Sequence, residues 1–167
     1  INPNGDRYEG EWMDGRINGN GISIANDGRQ YEGQFQNYVW EGNGTYIDPQ
    51  GWTYIGEFKN YNFNGQGIFI GIDGGRYEGE WFMGQQHGQG KNIYSDGSIY
   101  EGNWKNGNIH GKGSLTWLNG DFYIGNFKNN QQSGFGEIIG YSENYKGQWL
   151  NNQRHGYGVS TLQNDSI

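Results

Sequence analysis

The chain has 167 residues, of which 32% are hydrophobic and 33 are glycine, and its mean hydropathy of -1.00 is too low for a conventional two-layer core. Aromatic residues make up 17%, an amount that disordered chains rarely contain, so the composition also argues against disorder. The net charge of -7 disfavours nucleic acid and anionic lipid as partners, because both require a basic protein surface.

The chain contains no cysteine, which excludes disulfides and thiolate metal sites and is typical of a reducing compartment, so we expect an intracellular protein. Its apolar runs all fall short of the roughly 18 residues that a membrane-spanning helix needs.

A repeat of about 23 residues organises the chain. The pattern Tyr-x-Gly-x-aromatic occurs seven times, and a Gly-x-Gly follows each tyrosine at a constant spacing. The repeats start near residues 5, 28, 51, 74, 97, 120 and 142, and they predict a single array over residues 1–167. The tyrosine and the second aromatic residue of the seven copies are Tyr8 and Trp12, Tyr31 and Phe35, Tyr54 and Phe58, Tyr77 and Trp81, Tyr100 and Trp104, Tyr123 and Phe127, and Tyr145 and Trp149.

Each repeat predicts a β-hairpin. In the first strand, alternation places tyrosine, glycine and the second aromatic residue on one face. The segment after Gly-x-Gly predicts a second strand, in which the third residue after the last glycine forms a β-branched column. The turn formers Asn26-Asp27-Gly28, Asp96-Gly97 and Asn119-Gly120 separate the repeats. The β-branched column is Ile24, Ile47, Ile70, Ile93, Thr116, Ile139 and Thr161.

These elements predict an all-β fold, an elongated single-layer antiparallel β-meander solenoid of seven hairpin repeats and about fourteen strands. At about 4.8 Å per strand, the array would form a rod or trough of about 65 Å. The glycine columns have two explanations that can hold together. A ring from a neighbouring strand can cover the glycine, or the glycine can let the strand bend sharply.

The run YEGEW...HGQG at residues 77–90 and its six sister copies resemble the MORN (membrane occupation and recognition nexus) repeat family over essentially the whole chain. The resemblance implies twisted β-hairpin arrays with a groove along one side. It also implies scaffolding in eukaryotic cells, in cytoskeletal, ciliary or axonemal assemblies, at membrane junctions, or beside enzymes such as lipid kinases. Four residues depart from the family pattern: Ile55, Ile124, Lys146 and Ser142.

The ends of the chain fall inside the repeat pattern. Ile1 lies one repeat length before Ile24, and Asp165 falls where the next turn is expected. We therefore expect a segment of a longer protein, with open strand edges through which it can self-associate.

The candidate catalytic residues fit a scaffold better than an enzyme. Three histidines, His87, His110 and His155, share one repeat column as turn residues about 10 Å apart, too far for one metal ion. The Gly-x-Gly motifs precede no helix, so they do not form a phosphate-binding loop. The glutamates form two uniform columns opposite the tyrosines, which predicts an acidic ladder rather than an acid–base pair. These columns are Glu9, Glu32, Glu78 and Glu101, and Glu11, Glu57 and Glu80.

We therefore expect no catalysis, no cofactor and no metal, and the hypothesis is a protein-binding groove. On the second strands, the second and fourth positions after Gly-x-Gly vary and lie opposite the β-branched column. These side chains either bind a helical or extended partner segment or pack against adjacent hairpins. The alternative function is a phosphoinositide-binding or regulatory segment of a larger enzyme such as a lipid kinase. The candidate groove residues are Tyr46, Phe69, Tyr94, Leu115, Trp117 and Ile138, with Leu162 beyond them.

Overall fold

A computed structural model of the chain describes residues 5–163, so the pattern at Ile1 and Asp165 lies outside the described residues. Strands make up nearly all of this part of the chain, and no helix occurs in it. The described residues divide into an N-terminal unit that ends at Gln85 and a C-terminal unit that begins at Gln86.

Each unit is an antiparallel meander in which every strand pairs with the next strand in the chain. The predicted all-β array of antiparallel hairpin repeats is therefore confirmed. The N-terminal unit contains β1 (Arg7–Met13), β2 (Arg16–Ile24), β3 (Gln30–Gln36), β4 (Val39–Ile47), β5 (Thr53–Lys59), β6 (Asn62–Ile70) and β7 (Arg76–Phe82). The C-terminal unit contains β8 (Gln85–Ile93) except its first residue, and β9 (Ile99–Lys105), β10 (Asn108–Thr116), β11 (Phe122–Lys128), β12 (Gln131–Ile139), β13 (Glu143–Leu150) and β14 (Gln153–Leu162).

The turn inside each hairpin consists of two residues with positive φ. Asn106 and Gly107, at φ 51° and 75°, are an example, and these values define the type I′ turn that matches the twist of the flanking strands. In some hairpins a tyrosine occupies the second turn position, and the Tyr61 hydroxyl there donates a hydrogen bond of 2.7 Å to the Tyr38 carbonyl. The hairpin turns thus come shortly before Gly-x-Gly rather than at it.

The Gly-x-Gly motif lies inside the second strand, so the predicted start of that strand was wrong. In β4 the motif is Gly42-Asn43-Gly44, and the strand already begins at Val39. Gly42 adopts φ 66°, a left-handed conformation that glycine reaches without steric cost. The register between β3 and β4 shifts beside it, so the glycine forms a β-bulge that bends the hairpin.

One tyrosine ring covers two glycines within a hairpin, as the hairpin of β5 and β6 shows. Tyr54 lies against Gly56 on its own strand and Gly67 on the next, and a Cβ at Gly67 would overlap the tyrosine ring and hydroxyl. The Tyr54 hydroxyl then donates to the Glu57 carbonyl at 3.0 Å. Both predicted roles of the glycines are present, because the ring of Tyr54 covers Gly67 from the neighbouring strand; the same ring also covers Gly56 on its own strand.

The two faces of each sheet differ in composition. We call the face with the tyrosine and second aromatic columns the tyrosine face, and its opposite the glutamate face. The core lies on the tyrosine face, where Tyr31, Tyr54, Tyr77, Tyr100 and Tyr123 are at most 1% exposed. The β-branched column lies on the glutamate face, where Ile47 pairs with Gln30.

The departures from the repeat pattern are compensated locally. Lys146 forms a 3.0 Å ion pair with Glu137 on the neighbouring strand, and Ile55 lies opposite Ile68. At Ser142 the connection is shortened, yet the pairing of β12 with β13 continues without a register shift.

Candidate functional site

A variable position on the tyrosine face decides how each hairpin covers its tyrosine. It is the residue of the second strand that lies opposite the second aromatic residue, as Phe63 lies opposite Phe58. Phe63 stacks on Tyr54 with ring centroids 3.8 Å apart, and Trp40 stacks on Tyr31 at 4.5 Å. The described pairs place Ile17, Trp40, Phe63, Ile109, Gln132 and Arg154 at this position.

In the N-terminal unit, aromatic side chains cover the middle of the tyrosine face, and a smaller concavity of about 270 Å³ remains beside Tyr8 and Ile17. Tyr46 is only 8% exposed, and its ring contacts Trp40 at 5.4 Å and Trp52 at 5.1 Å between centroids. The ring of Phe69 packs against Trp52 at 5.3 Å. Two of the candidate groove residues, Tyr46 and Phe69, therefore pack against neighbouring aromatic rings of their own unit.

In the C-terminal unit, the tyrosine face is open. A concavity of about 890 Å³ is lined by Tyr94, Leu115, Trp117, Ile109 and Gln132. Three candidate groove residues, Tyr94, Leu115 and Trp117, therefore meet on one surface. Ile138 lines a smaller adjoining concavity of about 450 Å³ together with Trp117. We call the larger surface, bounded by Tyr94, Leu115, Trp117, Ile109 and Gln132, the C-terminal groove.

Gln132 is the most unusual polar residue in this groove. It is 6% exposed and lines the concavity, and its side-chain amide has no hydrogen bond to any residue that the structure describes. Its backbone N–H, by contrast, donates to Asn152 Oδ1 at 2.7 Å. The amide atoms are not sealed from solvent, so they face the open side of the concavity, where a ligand can replace water as their hydrogen-bond partner. The groove thus offers a hydrogen-bonding group to a ligand.

The rim of the groove has fixed hydrogen bonds. Ser98 donates from its backbone to Asp96 at 2.8 Å, and its hydrogen bonds hold the pKa of the Asp96 carboxyl below its usual value. The Tyr94 hydroxyl, like that of any tyrosine, is protonated at neutral pH; burial raises its pKa further, and Asn92 forms a side-chain hydrogen bond with it. The Trp117 indole N–H has no acceptor among the described residues.

The two glutamate columns play different roles. Glu9, Glu32, Glu78 and Glu101 lie exposed on the glutamate face, as expected for an acidic ladder. Glu57, however, accepts the backbone N–H of Gln66 at 2.8 Å, and the Glu11 carboxylate accepts from Asn20 in the same way. These carboxylates accept backbone N–H groups at the β-bulge, so the prediction of a second ladder was wrong for Glu11 and Glu57. Glu80 occupies the same repeat position.

The histidines lie in strands rather than in turns. His87, His110 and His155 belong to β8, β10 and β14, each just before the left-handed glycine of the bulge. Among residues 5–163, no group of three or more histidine or acidic side chains is placed to hold a metal ion. The same residues include no helix long and apolar enough to cross a membrane.

The charge is divided unequally between the two units. The N-terminal unit has twelve acidic and five basic residues, whereas positions 86–167 have six of each, so the N-terminal unit accounts for the whole net charge of -7. Among the basic residues of the N-terminal unit, Arg7, Arg29 and Arg76 each pair with a neighbouring carboxylate. The C-terminal groove therefore lies in the electrically neutral unit.

The fold and the tyrosine face define a β-hairpin repeat protein, and the sequence shows which repeat family it belongs to. Seven consecutive segments match the MORN repeat family, and they cover nearly all of the chain. The chain belongs to the MORN repeat family and is a repeat module. The matched segments are residues 8–28, 31–53, 54–76, 77–99, 100–122, 123–143 and 145–167.

Comparison with other proteins gives more distant similarities. A search of curated proteins finds no match. One similar solved structure is the TCP domain of SAS-4 (dCPAP) from Drosophila melanogaster in complex with a proline-rich motif of Ana2 (dSTIL), at 14% identity and a TM-score of 0.49, covering 81% of this chain and 72% of that chain. Another is the TCP10 domain of CPAP from Danio rerio, at 17% identity and a TM-score of 0.46, covering 88% of this chain and 75% of that chain.

Proposed function

We propose that the chain is a non-catalytic scaffold whose C-terminal groove binds a segment of a protein partner. The observation that supports this most directly is the clustering of Tyr94, Leu115 and Trp117 around the unpartnered amide of Gln132. Aromatic and aliphatic side chains with a few well-placed polar groups are typical of binding sites, and aromatic residues dominate the energetics of protein interfaces.

The proposed setting is a cytoskeletal or ciliary assembly, where the resemblance of the chain to MORN proteins leads us to expect such scaffolds. A membrane surface is the less favoured partner, because the C-terminal unit has no net charge and the N-terminal unit is acidic. Flotation of the chain with phosphoinositide vesicles across a salt series tests this preference. Tight binding that weakens with added salt would support the lipid alternative instead.

Selection of binding peptides from a random displayed library tests the protein-binding function. The wild-type chain is the bait, and each selected peptide is then titrated against a Leu115→Ser/Trp117→Ser double variant. We expect at least about tenfold weaker binding to the variant, because both side chains line the groove. The control is Tyr141→Ala, which removes an aromatic side chain that is 85% exposed and lies outside the groove.

The thermal melt of each variant separates binding from folding. Trp117 and Leu115 are only half-buried, so we expect the double variant to remain folded at room temperature. Peptides that bind the folded double variant as tightly as the wild type would place the partner elsewhere and contradict the proposal.

A further inference from the structure

We propose that the C-terminal groove is built for a proline-rich segment in the polyproline II conformation that crosses the strands and places the two prolines of a Pro-x-x-Pro motif on Tyr94 and Trp117. This inference rests on the proposed function and names the chemistry of the partner.

The first argument is the spacing of the two rings. Tyr94 and Trp117 occupy the same position in successive repeats, directly after the second strand of each. Two strands advance by about 9.6 Å across a sheet, and three residues of polyproline II advance by about 9.3 Å. In a polyproline II segment that runs across the strands, residues three apart lie on the same side and can each contact one ring. The two prolines of a Pro-x-x-Pro motif have this spacing.

The second argument is that these two rings stand alone in their column. In the other repeats that precede β14, the residues at this position are Ala25, Asp48, Gly71 and Gly140. The twist of the sheet, about 20° to 25° per strand, would turn a straight helix away from the surface after one repeat. The two rings therefore fit one Pro-x-x-Pro motif rather than a longer proline tract.

The third argument is the hydrogen-bonding character of the groove. Trp117 supplies an indole N–H and Tyr94 a protonated hydroxyl, and neither Trp117 Nε1 nor the Gln132 amide has a partner among the described residues. Proline has no backbone N–H, so a proline-rich segment presents mainly carbonyl acceptors. Donors beside aromatic rings complement such a segment, and aromatic-lined grooves are the usual recognition surface for polyproline II.

The electrostatics agree with this occupant. The C-terminal unit has equal numbers of acidic and basic residues, so it neither attracts nor repels a neutral segment over long range. The N-terminal unit lacks the paired rings at this position, and Trp40 and Phe63 cover Tyr31 and Tyr54 on its tyrosine face. The proline-rich segment is therefore expected on the C-terminal groove alone.

Fluorescence polarisation with three labelled peptides tests the inference on the full chain. The probes are an alanine–proline peptide with Pro-x-x-Pro spacing, a peptide of the same composition with Pro-x-x-x-Pro spacing, and an amphipathic helical peptide of equal length. We expect the first to bind about tenfold more tightly than the other two, because only its pitch matches the rings. Equal binding of the two proline peptides overturns the inference.

Variants assign the binding to named groups. Trp117→Ala is expected to weaken binding of the Pro-x-x-Pro peptide about tenfold, and Trp117→Phe, which keeps a ring but removes the N–H, about threefold. Gln132→Leu is expected to weaken it about fivefold, and Tyr141→Ala to leave it unchanged. If the folded Trp117→Phe and Gln132→Leu variants both bind like the wild type, the donor argument is wrong.

The outcomes also separate this inference from the proposed function. Binding of only the helical peptide, lost in the folded Trp117→Ala variant, would overturn the polyproline inference and leave the groove as a partner site. If neither these probes nor any library peptide binds in a way that depends on Leu115 and Trp117, both proposals fail.

Discussion

The two units are built from the same repeat pattern, but different side chains cover the buried tyrosines in each. In the N-terminal unit, Trp40 and Phe63 stack on Tyr31 and Tyr54 and cover the tyrosine face there, leaving a concavity of only about 270 Å³ beside Tyr8. In the C-terminal unit, the smaller side chains Ile109 and Gln132 take the same position and leave a concavity of about 890 Å³. The repeat thus fixes the fold, and the size of the residue at one variable position affects how much of the tyrosine face is left open.

Alkaline pH should unfold both units, because both depend on buried tyrosines. Burial raises the pKa of Tyr123 to about 12 and shifts those of Tyr31, Tyr54 and Tyr100 in the same direction. In the unfolded chain these groups ionise near pH 10, so the folded state binds more protons between the two values. Stability is therefore fully present below about pH 10 and falls as the pH rises towards 12.

Circular dichroism recorded with the tyrosinate absorbance measures this transition. We expect the loss of sheet signal to accompany the ionisation of the buried tyrosines in a cooperative step. Ionisation of every tyrosine near pH 10 with the sheet intact would contradict the burial of these hydroxyls.

Alanine at a covered glycine should destabilise each unit by a similar amount. Gly44 lies under the ring of Tyr31 and Gly113 under that of Tyr100, and a Cβ at either site would overlap the ring. We expect each Gly→Ala variant to lower the free energy of unfolding by about 3 kcal/mol, measured by urea denaturation. Thr45→Ala and Ser114→Ala, one residue away on the glutamate face, should cost less than about 1 kcal/mol. If alanine were tolerated at Gly113 but not at Gly44, the packing of tyrosine on glycine would differ between the two units.

An exchange at the variable position should separate stability from binding. Phe63→Gln removes a stacked ring and should cost about 2 to 3 kcal/mol. Gln132→Phe should stack on Tyr123 as Phe63 stacks on Tyr54, change stability by about 1 kcal/mol or less, and abolish peptide binding by closing the groove. Denaturation and peptide titration of both variants measure the two effects. Full peptide binding by Gln132→Phe would mean that the groove does not include this position.

The smallest expected effect concerns the glutamate face. Lys146→Glu replaces the ion pair with Glu137 by a like-charge pair on adjacent strands and should cost about 0.5 to 1 kcal/mol, less at high salt. Ile55→Glu in the N-terminal unit breaks no ion pair and should change stability by less than about 0.5 kcal/mol. Thermal melts at low and high salt distinguish the two. Equal effects would mean that the 3.0 Å contact of Lys146 contributes nothing.

The strands and their faces could be predicted from the sequence because the same alternation of side chains along the strand occurs in seven repeats. It misplaced the second strands because Gly-x-Gly was interpreted as a connection, whereas its first glycine forms a bulge within the strand. The signal that would have located the turn is the column of Asn37, Asn60, Asn106, Asn129 and Asn151, residues that tolerate positive φ.

The lining of the C-terminal groove could be predicted only in part. The candidate residues Tyr94, Leu115 and Trp117 line the groove, but Tyr46 is buried, since its size alone does not reveal that Trp40 and Trp52 lie beside it. The part played by Gln132 was missed, because its position depends on the register across the bulge. Pairing of each second aromatic residue with the residue five positions later would have revealed this column.

The indole N–H resonances of the seven tryptophans offer the most direct test of the central claim. In a ¹⁵N-labelled chain titrated with the Pro-x-x-Pro peptide, the account predicts a saturating shift of the Trp117 resonance and little change at Trp40 and Trp52. Single Trp→Phe variants assign the three signals. Shifts at Trp40 and Trp52 with Trp117 unchanged would contradict the claim that the peptide binds the C-terminal groove rather than the tyrosine face of the N-terminal unit.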